Sequence, residues 1–331
     1  MLRTYLFDEA RELLTPLIER GIEDAIERFV EEAHLATMLR THMASGGKRL
    51  RALIPLWIHV NKGGDTNEVL PAAVGVELLH NATLVHDDLQ DGDTHRRGEP
   101  TTWRRYGEAQ AINAGDALYF VGMSSLLSRS LGQRALFDVS RAMTRVIEGQ
   151  VREFRLQDAP DSPFHLAPGL EAWTTMARGK TGALFGAAFR VGFAASTMDA
   201  EDLDEAEAQG QSLGWAFQVQ DDLLDLVGDK GRERKATDLA EGKLSFPAVW
   251  ALEHADEADA ERLLSILRTP RASTSDEMLE EGVALLGKSG AIEASIAELR
   301  AALKSYESSS CADIMPDLME VVLRPVAHVI G

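Results

Sequence analysis

Apolar residues recur at three- and four-residue spacing along most of the chain, as in Leu13, Leu17, Ile18 and Ile22 and again in Leu263, Leu264 and Ile266. Strand-like alternation is nearly absent, so the pattern is that of helices burying one face. Glycine and proline interrupt it at Gly46-Gly47, Gly63-Gly64, Gly98 to Pro100, Pro160 to Pro168, Gly228 to Gly231 and Pro270. These breaks cut the chain into about a dozen helical segments. The spacing therefore predicts an all-α fold. No short repeat and no low-complexity linker divides it, and a single domain spanning 1–331 is expected. Residues 253–308, rich in Glu, Asp, Ala and Ser, read as amphipathic helices packed on the outside.

Composition narrows the partners. The chain has 331 residues, 45% of them hydrophobic, enough for a large core. Its 34 basic and 53 acidic residues leave a net charge of −19, which argues against a nucleic-acid surface or attraction to anionic lipid. An anionic substrate would need local basic clusters or metal ions. The lone Cys311 cannot form an internal disulfide, which fits a reducing cytoplasm. The opening MLRTYLFDEARELL lacks a basic leader and an apolar h-region, and the stretch from Ala183 to Ser196 is interrupted by Arg190, so neither a signal peptide nor a transmembrane segment is expected.

Two carboxylate clusters end apolar helical stretches. In Glu77 to Asp91, ELLHNATLVHDDLQD, Asp87 and Asp91 lie one turn apart with Asp88 beside them. In Leu213 to Val227, LGWAFQVQDDLLDLV, Asp221 and Asp225 repeat the spacing, Asp222 adjoins, and Gln218 shares the face of Asp221. Three hard oxygen donors converging on one point suit Mg²⁺, which keeps water and phosphate oxygens in its shell. Either triad alone reads equally well as a solvated acidic helix end. Two copies after strongly apolar runs favour a pair of metal sites, because unpaired carboxylates are costly there.

Basic residues gather in a few places. Gly46-Gly47-Lys48-Arg49-Leu50-Arg51, Arg96-Arg97-Gly98, Gly179-Lys180-Thr181-Gly182 and Glu241-Gly242-Lys243 each pair cations with glycine, where backbone can approach an anion. Each is individually compatible with a helix-end cation or a surface ion pair, and His80 with a core histidine. Together they suggest a division of labour. Carboxylates with Mg²⁺ would activate one diphosphate, and a separate basic site would hold a second that must not ionise.

SGGKRLR, LLHNATLVHDDLQDGDTHRRGEPT, INAGDAL, GKTGALF, FQVQDDLLDLVGD and EGKLSFP, in that order from about residue 45 to 248, closely resemble the signature segments of the all-trans isoprenyl (polyprenyl) diphosphate synthases. The resemblance implies a bundle of long antiparallel helices around a deep central cavity, the isoprenoid synthase fold, usually as a homodimer. It implies that Asp87, Asp88, Asp91, Asp221, Asp222 and Asp225 hold Mg²⁺, three ions with substrate bound, on an allylic diphosphate. Arg96, Lys180 and Lys243 would contact that diphosphate, with Thr181 and Gln218 around the reacting allyl group. Lys48, Arg51, His80 and Arg97 would bind isopentenyl diphosphate. The segment GRERKATD, residues 231–238, departs from the GKPxGxD-like sequence frequent in the family, leaving Lys235 as a candidate lysine, and the ending RPVAHVIG lacks the basic terminus of some members.

In that fold the product grows down the helix of the first triad. Thr83 and Ala82 lie about 6 to 7.5 Å below Asp87 at 1.5 Å per residue, and both are small. Geranylgeranyl diphosphate is the expected product ahead of a longer polyprenyl chain, and farnesyl is disfavoured. Leu79 and Val76, with Tyr119, Phe120 or Met143 from other helices, are candidates for the floor. The competing classes are a class I terpene cyclase, which needs no second diphosphate site, and a silent subunit of a heteromeric synthase, whose aspartate motifs would be eroded.

Overall fold

The computed structural model describes residues 4–128, 131–158, 161–163, 165–195, 199–227 and 236–330. In chain order the helices are α1 (Phe7–Phe29), α2 (Ala33–Ala44), α3 (Leu50–Asn61), α4 (Thr66–Gln90), α5 (Thr102–Tyr106), α6 (Glu108–Leu126), α7 (Gly132–Gln157), α8 (Leu170–Ala177), α9 (Ala183–Ala194) and α10 (Ala200–Val227). They continue as α11 (Thr237–Ala240), α12 (Phe246–His254), α13 (Glu257–Leu267), α14 (Asp276–Lys288) and α15 (Ala291–Glu307), followed by short terminal turns. The all-α expectation holds. A two-residue ribbon was not foreseen: β1 (His95–Arg96) pairs antiparallel with β2 (Glu99–Pro100).

The helices fall into two compact units, one formed by 1–143, 184–210 and 313–315, the other by 144–183, 211–312 and 316–331. Each draws on three separate stretches of chain, and α7 and α10 contribute to both.

In the first unit, α4 and α6 approach until backbone meets backbone. A Cβ on Gly75 would lie 2.8 Å from the Gly122 carbonyl, and one on Gly122 would lie 2.9 Å from Leu79 Cγ. Glycine is therefore required at this crossing. The Ser125 hydroxyl donates to Pro71 O at 2.8 Å, satisfying a carbonyl at the same contact. At the other edge Trp57 packs edge-on to Phe7, ring centroids 5.7 Å apart, and donates Nε1–H to Tyr5 O at 2.8 Å.

The second unit is centred on an aromatic cluster of Trp173 on α8, Trp215 on α10 and Phe246 on α12, with centroids 5.5 to 5.9 Å apart in edge-on contacts. Trp173 Nε1–H reaches Leu244 O at 2.6 Å, so the indole is buried with its donor satisfied. The acidic stretch expected to form outer helices does so: α13, α14 and α15 bury Leu263, Leu267, Leu279 and Leu286 and turn their charges outward. No helix among the described residues is long and apolar enough to cross a membrane.

Candidate active site

The first triad sits where α4 ends. Asp91 caps the helix, its N–H donating to Asp87 O at 2.8 Å, so the one-turn spacing read from the sequence is present. The expectation that all three carboxylates converge is revised. Asp87 is half-buried and Asp91 exposed, but Asp88 turns inward, 1% exposed, where its Oδ1 accepts from Arg96 Nε at 2.7 Å and Nη2 at 2.5 Å. A carboxylate withdrawn from water needs a counter-charge, and Arg96 supplies it. Burial raises the Asp88 carboxyl above its ordinary range against the pull of Arg96.

Arg96 reaches Asp88 because the Arg-Arg-Gly motif is a hairpin. Arg97 and Gly98 form its two-residue turn, with φ of +54° and +84°, the left-handed pair that a tight hairpin demands. Glycine adopts this freely, whereas arginine pays a steric cost. The Arg97 guanidinium is held by donating to Gly46 O, and it occupies the space a Gly47 side chain would fill, 2.6 Å from where a Cβ would stand. The two glycine-basic motifs thus interlock.

Beyond the Gly pair, Lys48 is exposed and Arg49 opens α3 in a left-handed conformation with φ of +48°. Arg49 is buried and bound to Glu19 at 2.8 Å and to Met43 O at 2.5 Å, which makes it structural. Arg51 lies 4.4 Å from the Phe185 ring centroid, and burial pushes its guanidinium down to about 10. Burial and the nearby Arg51, Arg96 and Arg97 hold His80 well below the usual imidazole range, so it is neutral at pH 7. Arg51, Arg96 and Arg97 thus all stand close enough to His80 for their charges to act on it. His42, unflagged in the sequence, joins them; burial and Arg96 push it down to about 4, and its Nε2 pairs with Asn81 Oδ1 at 3.2 Å.

The second triad ends α10. Asp221 is exposed, while Asp222 and Asp225 are buried. Asp222 accepts from Phe246 N–H at 2.7 Å and from Gln218 Nε2 at 2.9 Å, and Gln218 Oε1 accepts from the Thr181 hydroxyl at 2.9 Å. Thr181, Gln218 and Asp222 are thus joined in one hydrogen-bond chain. Burial, then Asp238, pushes Asp222 well above the usual carboxylate range. Asp225 is clasped by the returning chain, accepting from Thr237 Oγ1 at 2.5 Å and Asp238 N–H at 2.9 Å. This clasp had no signal beyond the acidic residue in ATD. Lys235 and residues 231–235 lie outside the described residues.

Lys180 and Thr181 stand on a widened π-turn, Arg178–Gly182, between α8 and α9. Such turns re-aim side chains. Lys180 pairs with Glu153, and Lys243 with Glu241 at 3.0 Å, whose other oxygen takes Arg271 at 2.8 Å.

Below Asp87, Val76, Leu79, Ala82 and Thr83 are all buried. The Thr83 hydroxyl donates back to His80 O at 2.7 Å. Leu79 packs on Gly122 of α6. Tyr119 lies level with Asp87: its ring is 5.7 Å from His86, and burial with the Asp87 charge raises its hydroxyl to about 12. That height suits the mouth better than the floor. Phe120 is 68% exposed, whereas Met143 is buried.

Do these residues fit a metal? The donors are hard carboxylate oxygens, and Asp88 Oδ2 is buried with no hydrogen-bond partner among the described residues. Among the described residues no three His, Cys, Asp or Glu side chains already gather into a closed cage. The set fits a divalent cation that completes its shell with phosphate and water.

With this geometry in view, comparison with known proteins is decisive for the family. Residues 32–286 match the family model described as polyprenyl synthetase. A short chain isoprenyl diphosphate synthase from Methanocaldococcus jannaschii is 34% identical over 275 residues, covering 81% of both chains. A geranylgeranyl diphosphate synthase from Mycobacterium tuberculosis is 32% identical over 327 residues, covering 91% of this chain and 89% of its own. Among solved structures, a decaprenyl diphosphate synthase from Rhodobacter capsulatus superposes with TM-score 0.82 at 27% identity, over 96% of this chain and 98% of that one. The fold, the paired aspartate motifs and these matches agree, and the chain belongs to the polyprenyl synthetase family.

Proposed function

We propose that the chain is a trans-prenyltransferase that condenses isopentenyl diphosphate with an allylic diphosphate, dimethylallyl, geranyl or farnesyl, releasing pyrophosphate, and that its product is geranylgeranyl diphosphate. The observation that carries the reading is the pairing of two kinds of site on the chain: acidic triads that fit metal, the first of them held by Arg96, and a basic group in which Arg51 and Arg97 act on His80. Relatives named for the same reaction class, including those from Methanocaldococcus jannaschii and Mycobacterium tuberculosis, support it.

The six aspartates Asp87, Asp88, Asp91, Asp221, Asp222 and Asp225 are the proposed holders of Mg²⁺, three ions with substrate bound. When bound, the metal neutralises charge developing on the departing pyrophosphate. Asp225 doubles as the anchor of the chain that returns at Thr237 and Asp238. Arg96, Lys180 and Lys243 bind the allylic diphosphate, and preorganised cations there lower the barrier to C–O cleavage. Thr181 and Gln218, oriented by Asp222, face the allyl group. Lys48, Arg51, His80 and Arg97 hold isopentenyl diphosphate, whose double bond attacks the allylic cation. A proton then leaves to the released pyrophosphate, and apolar walls exclude water from the cation.

Small residues at Ala82 and Thr83, with the Thr83 hydroxyl turned back to its helix, put no bulky side chain one prenyl unit beneath Asp87 and support a product beyond farnesyl. They also keep a longer polyprenyl chain as the second reading. Ile112 and Phe120 on α6 and Leu127 just after it, 49%, 68% and 50% exposed, form an apolar surface and support a homodimer. The single cysteine, Cys311, is buried and forms no disulfide, which supports a cytoplasmic setting.

The test separates this reading from a terpene cyclase. Lys48→Ala and Arg51→Ala should each raise KM for isopentenyl diphosphate at least tenfold, roughly the worth of one charge-assisted contact, with KM for the allylic substrate unchanged. Turnover of the allylic diphosphate that ignores isopentenyl diphosphate would contradict it.

A further inference from the structure

The basic group contains one buried acid that the mechanism does not use. Glu77, on α4, is 4% exposed, and a carboxylate at that depth persists only with partners that hold its charge. Its partners belong to the diphosphate-binding turn. Oε2 accepts from Ala52 N–H at 3.3 Å, so Glu77 caps the first turn of α3 from outside, where Arg49 at the cap position provides no side-chain bond. Oε1 accepts from Asn81 Nδ2 at 3.2 Å and lies 3.8 Å from Arg49 Nη1. Asn81 passes the contact on to His42 at 3.2 Å. The Glu77 charge also acts on Arg51 and Arg97, favouring the cation on both while burial opposes it. Arg51 Nε has no hydrogen-bond partner among the described residues.

Glu77 thus faces a strained turn, a helix start and the Arg49 guanidinium, and its charge reaches Arg51 and Arg97. We infer that Glu77 is a positioning residue for the isopentenyl diphosphate site: it fixes the turn from Arg49 to Ala52 so that Lys48 and Arg51 are aimed before the diphosphate arrives. This rests on the reading of Lys48, Arg51, His80 and Arg97 as that site. A competing effect has the opposite sign. A negative charge among the cations repels an incoming diphosphate, and if repulsion dominated, removing the charge would tighten binding. Preorganisation wins on the geometry, because the carboxylate is spent on a backbone N–H, an amide and Arg49 rather than aimed at open space.

The experiment measures steady-state kinetics of Glu77→Gln, Glu77→Asp, Arg51→Lys and the Glu77→Gln/Arg51→Lys pair, with urea unfolding to confirm that each folds. Glu77→Gln should raise KM for isopentenyl diphosphate about tenfold, the size of a lost bond to a charged group, with kcat and the allylic KM within twofold. Glu77→Asp should recover part of the loss. The double variant should be worse than Arg51→Lys alone by clearly less than the full Glu77→Gln factor, since one of the two cations that Glu77 aims has already lost its fork. An unchanged or lowered KM for isopentenyl diphosphate overturns the inference, as do parallel changes in kcat and both KM values, or additive effects in the pair. If Glu77→Gln does not fold, Glu77→Asp decides: a wild-type KM overturns the inference. Failure of the prenyltransferase reading looks different, since the unaltered chain would then show no elongation.

Discussion

His42 shows how much of a site can be set by residues that carry no motif. Buried beside Asn81 and among arginines, it is pushed down to about 4 from an ordinary 6.5. The sign follows from proton uptake. Between pH 6.5 and about 4 the unfolded chain protonates this imidazole and the folded chain does not, so stability is lost as pH falls through that window and is unaffected above it. Integrated over the shift, the loss is about 3 kcal/mol. Urea titrations at pH 7.5 and 4.5 should show it, and His42→Gln should shrink the difference; an equal pH dependence in the variant would contradict the assignment. The aspartates were legible because spacing and an apolar approach mark them. What spacing could not reveal is that Asp88, Asp222 and Asp225 are committed to Arg96, Phe246 N–H and the Thr237–Asp238 turn. Glu77 had a faint signal, a lone acid in a run that is otherwise almost wholly apolar.

At the scale of elements, the helices were readable from periodicity, and the acidic C-terminal ones folded where expected. The Arg97–Gly98 hairpin and the π-turn under Lys180 were not, since two-residue strands and a single widened turn leave no periodic trace. Nor was the close crossing of α4 and α6, which depends on two glycines far apart in sequence. Gly122→Val would drive side-chain atoms against Leu79 and the Gly75 carbonyl, which lie 2.9 and 3.1 Å from a Cβ at that site. Overpacking of this kind costs about 1 to 3 kcal/mol. A lowered urea midpoint is expected, and a wild-type midpoint would show that the helices can separate without penalty.

For the whole molecule, we propose that the two units behave as one domain, because each is assembled from three chain segments and α7 and α10 are common to both. Tryptophan fluorescence reports on Trp57 in one unit and on Trp173 and Trp215 in the other. It should give one urea transition coincident with circular dichroism, whereas two separated transitions would mean independent domains. The net charge of −19 makes sense at this scale, since the cations that act on His80 are among those assigned to diphosphates. The account stands or falls on chemistry that can be read directly. Purified protein incubated with isopentenyl diphosphate, farnesyl diphosphate and Mg²⁺ should yield geranylgeranyl diphosphate as the main product by chromatography of the dephosphorylated prenols. Longer polyprenols would move the pocket floor deeper, and no elongation at all would contradict the central claim.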